Sequence, residues 1–343
     1  MSFEQAAAFA AAHETPWPRD ILAHLEAGNF EPPPDNEVIG PTAPRGGPAG
    51  VIFHRGRRVA EWGDTDRPDM TFSVAKSYLA ILAGLAVQDG LLPDLDAPVG
   101  ARVDHPAFQG ERNGRVTWRH LLTNTSEWEG SLFGKSDLID RGRDLAAEGQ
   151  GKKRSTRPLQ PPGEYWEYND VRVNALSLGL LHLFRRPLPE VFRERIMDPI
   201  GASPDWRWHG YRTSGVEIDG RVIESVSGGG HWGGGIFISA EDQARVGLLV
   251  TADGEWEGRR LISREWLDAC RTPCPLNPHY GFLFWLNTGR TKYPAASART
   301  VCFVGAGGNT TWMEPEEGIV SVTRWLDPAQ LNGYMAQVRA AAA

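Results

Sequence analysis

One stretch constrains the fold more than any other: Val74, Ala75, Tyr78, Leu79, Ile81, Leu82, Leu85 and Ala86. Their spacing follows the 3.6-residue period yet wraps most of the way round, which predicts a helix buried at a domain centre rather than lying on its surface. Gly90 supplies the stop. Upstream, Val51-Ile52-Phe53 and Val59-Ala60-Glu61-Trp62 flank Arg55-Gly56-Arg57 as a hairpin, so the helix begins where a sheet hands over to it. At that start stands Ser73-Val74-Ala75-Lys76. Residues three apart on a helix share a face, about 5–6 Å apart at Cβ, so the Lys76 amine can reach the Ser73 hydroxyl. A nucleophile and a base then share one turn. Serine is also a favoured N-cap and S-x-x-K is a short pattern, so the rest of the chain has to decide between a catalytic and a capping serine.

Composition narrows the class. A chain of 343 residues with 41% hydrophobic content is an ordinary globular protein, long enough for a large core. A net charge of -7 with no long basic block gives no sign of nucleic-acid binding, so no nucleic-acid partner is expected, and Lys152-Lys153-Arg154 reads as a solvated loop. No window approaches eighteen uninterrupted apolar residues, and Met1-Ser2-Phe3-Glu4 lacks a basic, then apolar, leader. The expectation is a cytoplasmic protein with no membrane partner and a small-molecule substrate. Cys270, Cys274 and Cys302 are too few and too scattered for a disulfide or zinc framework, and read as buried thiols. The nine histidines form no His-x-x-x-His pair, so neither a metal nor another cofactor is expected. No coiled-coil seam or single-faced apolar helix assigns an oligomeric state.

Along the chain, residues 1 to about 29 read as helical, followed by a Pro-rich lead-in to the first hairpin. Helical segments such as Trp118 to Leu122 and Val173 to Leu181 occupy the middle, with a polar loop near residues 148 to 160. The last third returns to β: Phe282 to Leu286, Arg299 to Val304, Asn309 to Met313 and Ile319 to Thr323 are aromatic or β-branched and separated by turns. A helix from Pro328 to Ala342 ends the chain. Strands at both ends with helices between predict an α/β (α+β) protein. One discontinuous α/β domain would comprise residues 1–100 and 206–343, with an α-helical domain, 101–205, inserted.

Ser73-x-x-Lys76, then Tyr168-Asn169-Asp170 after Pro161-Pro162-Gly163-Glu164, then Gly305-Ala306-Gly307-Gly308 before a strand follow one another in that order. So do Thr117 to Ser126, similar to "T-x-R-H-L-L-T-H-T-S-G", and Gly233 to Asp242, similar to "GG-(I/L)-x-(S/T)-x-x-D". Over roughly residues 45 to 325 the pattern resembles the serine β-lactamases, penicillin-binding proteins and their esterase and amidase relatives. The likeness is greatest to the branch with 6-aminohexanoate-dimer hydrolase and the β-lactamase-fold carboxylesterases. It implies an antiparallel sheet flanked by helices.

The resemblance also implies roles. Ser73 would attack, Lys76 would take its proton and Tyr168 would relay that proton to the leaving group. The Ser73 and Ala306 amides would hold the oxyanion, with Gly305 and Gly307 beside them. A free lysine amine is protonated at pH 7, and keeping it neutral against a pKa near 10.4 costs roughly 4–5 kcal/mol, so burial on this helix is expected to lower it. Read without the resemblance, Tyr168 is a core or rim aromatic, and Gly305 to Gly308 is a turn.

Departures from the pattern bear on substrate. The antibiotic-handling members carry Lys-Thr-Gly where this chain has Phe303-Val304-Gly305, so that strand offers a carboxylate no cation. Asp170 stands where the family has an amide. It is expected either to favour a neutral or cationic ligand or only to cap the following helix. Trp166 and Trp232, among thirteen tryptophans, are candidate apolar contacts. His231 is a candidate substrate contact too, although a solvent-facing loop histidine is the plainer reading. The expectation is a serine hydrolase acting through an acyl-enzyme on an ester or small linear amide, with β-lactam carboxylates handled badly. A β-lactamase or D-amino-acid peptidase is the alternative within the class, and a catalytically idle binding protein the alternative outside it. A Ser-His-Asp hydrolase is disfavoured because no G-x-S-x-G occurs.

Overall fold

The computed structural model describes all residues except 144 and 146–152. Six strands form the larger sheet in the order Trp285–Leu286, Val301–Gly305, Asn309–Glu314, Ile319–Arg324, Ala49–His54 and Arg57–Trp62, each antiparallel to its neighbours. Val51 pairs with Val322 and Phe53 with Val320, so strands from both ends of the chain meet inside the sheet. This is the mixed fold expected, an antiparallel sheet flanked by helices. Arg55 and Gly56 turn the first hairpin at φ of 52° and 76°, the positive pair that a tight two-residue turn needs.

Successive strand residues point to opposite faces, and here both faces are covered. Val51, Phe53, Val320 and Val322 pack toward the helix Ala240–Thr251 and Phe303 toward the helix Val74–Gln88, whereas Ile52, Cys302, Trp312 and Ile319 pack toward the terminal helices Phe3–Ala12 and Leu331–Ala342. That explains why the strands Ala49–His54, Val301–Gly305, Asn309–Glu314 and Ile319–Arg324 are buried at nearly every position. Each fully buried Val, Ile or Phe contributes about 1.5–3 kcal/mol by leaving water. From Val74 to Ala86 the central helix is buried on every side, and Gly90, at φ 71°, follows its end.

The N-terminal region is two helices, Phe3–Ala12 and Ile21–Glu26, rather than one. Pro16 and Pro18 interrupt it, and Asp20 caps the second helix by accepting from the Ala23 amide at 3.0 Å. Between residues 101 and 205 lie the helices Trp118–Leu122, Asp170–Phe184 and Leu188–Phe192. A smaller sheet, in the order Asp69–Met70, Gly235–Ile238, Arg207–Ile218 and Arg221–Val226, was not assigned from sequence. Its longest hairpin turns at Asp219-Gly220, both at positive φ, a turn signal readable in the sequence.

The segment expected as a strand from Phe282 to Leu286 is one only at Trp285–Leu286. Leu283 takes φ 55°, its amide donates to the Leu122 carbonyl at 3.0 Å, and its carbonyl accepts from Ser77 Oγ at 2.8 Å. Its backbone is bonded to helical segments instead of a ladder. Residues 148–152 of the expected polar loop lie outside the described residues, as does Lys152. Lys153 is not solvated: its amine sits on Glu31 and on Asp140 (3.4 Å) with the side chain 8% exposed. All three cysteines are buried and free. Among the described residues no helix is long and apolar enough to cross a membrane.

Candidate active site

Ser73 stands at the N-cap of the central helix, yet its hydroxyl makes no capping bond. It accepts instead from Lys76 Nζ at 2.9 Å, the contact that the i, i+3 spacing permits. Phe72 before it has φ 52°, a conformation that costs a non-glycine residue of order 1–3 kcal/mol. The buried Phe72 ring is held edge-on to Trp17 and Trp325, at 5.4 and 6.4 Å, which fixes that turn.

Asp170 governs the charge of this centre. It is the first residue of the helix Asp170–Phe184, which Asn169 caps by accepting from the amides of Val171 (3.1 Å) and Arg172 (3.2 Å). The expected cap is therefore the neighbouring residue. Asp170, 1% exposed, ion-pairs with Lys76 through Oδ1, while its Oδ2 lies 2.7 Å from His231 Nδ1 and 3.9 Å from Arg143. Burial alone would raise its carboxyl, but His231, Lys76 and Arg143 hold it well below the usual carboxylate range. Burial likewise acts to lower the Lys76 amine, but Asp170 outweighs it and the amine ends above its ordinary value. This corrects the expectation of a neutral lysine, because a buried carboxylate supplies the counter-charge. Gly229 makes room for the pair: a Cβ there would stand 3.1 Å from Asp170 Oδ2 and 3.2 Å from Lys76 Nζ.

His231 is 2% exposed, so the solvent-facing reading does not hold. Its ring stacks on Phe30 at 4.7 Å. Arg143 Nη2 lies 3.2 Å from His231 Nε2, and because arginine only donates, Nε2 accepts and the proton sits on Nδ1, facing Asp170. Burial pulls the imidazole down to about 4, so it is neutral at pH 7.

Tyr168 precedes this helix start. The Glu167 amide donates to the Asn124 carbonyl at 2.9 Å, so the Thr117 to Ser126 motif anchors the tyrosine segment. Within that motif Thr117 caps a helix and Asn124 takes a left-handed φ of 57°. The Lys76 amine is 4.8 Å, and the Arg143 guanidinium 5.3 Å, from the centre of the Tyr168 ring. The Gly233 to Asp242 motif builds a strand and a capped helix, with Ser239 Oγ accepting from the Asp242 amide at 3.0 Å.

On the other side runs the strand edge Val301–Gly305. A Cβ at Gly305 would lie 1.8 Å from the Thr71 carbonyl oxygen and 3.4 Å from the Ser73 amide nitrogen, so only glycine lets this strand approach the helix start. Ser73, Tyr168, His231, Gly305, Ala306 and Gly307 all line one cavity of about 550 Å³. Asp170, Trp166 and Trp232 do not line it. Asp170 is engaged by the cations behind the wall. Trp166 packs behind Tyr168, 6.4 Å between ring centres, and Trp232, fully buried, donates to the Asp35 carbonyl at 2.9 Å.

The cavity also contains residues that sequence reasoning missed: Trp17, Phe30, Arg143, Trp285 and Lys292. None lies in a motif, and a tertiary fold has to bring them together. The 303–305 strand carries no cation, as its sequence says, and the two cations among the described lining residues, Arg143 and Lys292, come from other segments.

Among the described residues Glu31, Asp140 and His231 have ligand atoms within 4.8 Å of one another. The Lys153 ammonium already neutralises both carboxylates and Arg143 adjoins them, so the donor set is a poor fit for a metal cation.

The solved structures with this architecture include a Bacillus anthracis protein assigned as a 6-aminohexanoate-dimer hydrolase (17% identity, 89% of this chain and 79% of that chain covered, TM-score 0.62). They also include a penicillin-binding protein homologue from Caulobacter crescentus (17%, 94% and 96%, TM-score 0.60) and EstA from Arthrobacter nitroguajacolicus Rue61a (20%, 94% and 96%, TM-score 0.59). At these identities the likeness is one of fold. Among curated protein sequences none matches the chain. The family model described as Beta-lactamase matches residues 45–324. That match spans the Ser73 helix, the Tyr168 segment and the Gly305 strand edge alike, and the chain belongs to the β-lactamase family.

Proposed function

We propose that this chain is a serine hydrolase that acts through an acyl-enzyme on a carboxylic ester or small linear amide, with Ser73 as nucleophile. The observation that carries the reading is the 2.9 Å contact from Lys76 Nζ to Ser73 Oγ at the wall of the cavity. Ser73 Oγ bonds to the substrate carbonyl carbon, and the Ser73 and Ala306 amides donate to the oxyanion that forms. Since Asp170 keeps Lys76 an ammonium ion, the amine accepts the Ser73 proton only as it releases one. Tyr168, beside Nζ, passes that proton to the leaving group, so acylation returns Lys76 and Tyr168 to their starting states. Water then repeats the sequence on the acyl-enzyme. The family supports a hydrolase in general; ester or small amide as substrate is the finer reading.

The test is covalent. A fluorophosphonate should label the protein at one site, adding one phosphonyl group to the peptide that contains Ser73, and Ser73→Ala should abolish both label and turnover of 4-nitrophenyl butyrate while leaving the thermal transition in place. Turnover by the alanine variant at the wild-type rate would remove Ser73 from the mechanism.

A further inference from the structure

The cavity is asymmetric in charge. Its described lining residues include two cations, Arg143 and Lys292, and no aspartate or glutamate. Arg143 is engaged by the protein itself: it lies 3.6 Å from Asp140, 3.9 Å from Asp170 and 3.2 Å from His231 Nε2. Lys292 differs. Its amine stands 4.2 Å over the Trp285 ring and 5.6 Å from the Tyr293 ring, and among the described residues it has no carboxylate in ion-pair range.

Its position relative to the reacting atoms is also defined. Trp285 stacks on Tyr168 with ring centres 5.7 Å apart and planes inclined by 28°, so a chain of contacts runs from Ser73 through Lys76 to Tyr168, Trp285 and Lys292, of which all but Lys76 line the cavity. Tyr168 is the group that hands a proton to the leaving group in the mechanism proposed above, so the wall beyond it receives the leaving half of the substrate. The aromatic side chains Trp17 and Phe30, 5.2 Å apart, line the cavity elsewhere and suit an apolar acyl half.

Resting on that acyl-enzyme reading, we infer that Lys292 is a specificity residue that binds a carboxylate on the leaving half of the substrate, the alcohol or amine that departs, with Trp285 as the platform beneath it. The substrate class is then an ester or amide of a hydroxy or amino acid whose ring or short chain lies along Trp285. A charge-assisted contact between an ammonium and a carboxylate changes affinity roughly ten- to hundred-fold.

Three chromogenic butyrates test this: that of 5-hydroxy-2-nitrobenzoic acid, the methyl ester of the same compound, and 4-nitrophenyl butyrate. Mono-4-nitrophenyl glutarate places the carboxylate on the acyl half instead. The wild-type protein should prefer the free acid over its methyl ester in kcat/KM, and Lys292→Gln should cut that preference at least ten-fold through KM, with Lys292→Glu cutting it further. An acid-to-ester ratio unmoved by Lys292→Gln, or one that moves for the glutarate instead, overturns the proposal. Calorimetric binding of 5-hydroxy-2-nitrobenzoate separates this outcome from failure of the acyl-enzyme reading. Lys292→Gln should weaken it at least ten-fold even if no ester is hydrolysed, and equal affinity in the two proteins refutes the subsite.

Discussion

Replacing Asp170 with asparagine keeps the side chain's size and removes the carboxylate that Lys76, His231 and Arg143 share. Lys76 is left in an interior that disfavours its charge, and breaking a buried pair from one side costs about 3–5 kcal/mol. An independent route gives the same scale. If the orphaned amine becomes neutral near pH 7 while an unfolded lysine titrates near 10.4, the cost is about 4–5 kcal/mol. For 343 residues, at about 2.1 cal/mol/K each, the unfolding entropy is about 0.7 kcal/mol/K, so Tm should fall by about 4–7 °C. The assay is a double-mutant cycle by urea and thermal unfolding with Asp170→Asn, Lys76→Met and both. Methionine has no charge to strand, so the double variant should be more stable than the sum of the single losses by about 1–3 kcal/mol. The Asp170→Asn penalty should also shrink as pH rises from 7 toward 10, because the unfolded lysine binds the extra proton in that window. Strict additivity, or a penalty independent of pH, would refute the argument that Asp170 sets the charge of Lys76.

Three further outcomes follow from the geometry. Tyr168→Phe should lower turnover of amides by roughly 10²–10⁴ and of activated phenyl esters much less, since a phenolate leaves without a proton; steady-state kinetics on a matched amide and ester would expose equal losses. Gly305→Ala places a Cβ 1.8 Å from the Thr71 carbonyl oxygen, so fluorophosphonate labelling should slow by about 10²–10³ as the Ala306 and Ser73 amides move apart, and an unchanged labelling rate would show that the edge is not needed. Glu31, pushed up to about 7 by burial and by Asp140, contributes stability below pH 4.5 that is lost as pH rises through 7. His231, at about 4, contributes stability above pH 6.5 that is lost as pH falls through 4. Each amounts to about 3 kcal/mol with opposite slope, so the two largely cancel between pH 4.5 and 6.5. Glu31→Gln should reveal the His231 slope as a rise in urea midpoint with pH, and a parallel pair of curves for variant and wild type would contradict it.

How much was legible in the sequence depended on whether a feature is local. The central helix from Val74, the Arg55-Gly56 hairpin and the last three β segments were readable because periodicity and turn chemistry act over a few residues. The Lys76 to Ser73 contact was readable for the same reason, since one helical turn fixes it. Leu283 was misread as strand because its backbone partners, Leu122 and Ser77, lie some 160 and 200 positions away. Charge was the least legible property. The sequence showed an apolar helix around Lys76 and so argued for a neutral amine, but the sign was decided by Asp170, 94 residues later in the chain, against both burial and the like charge of Arg143. In the same way, the absence of Lys-Thr-Gly at residues 303–305 was visible, whereas the cavity's cation at Lys292 was not. Motif spacing determines which groups a single element can present. The electrostatic environment of a buried site sums over charges within a few ångströms, and only the tertiary fold decides which those are.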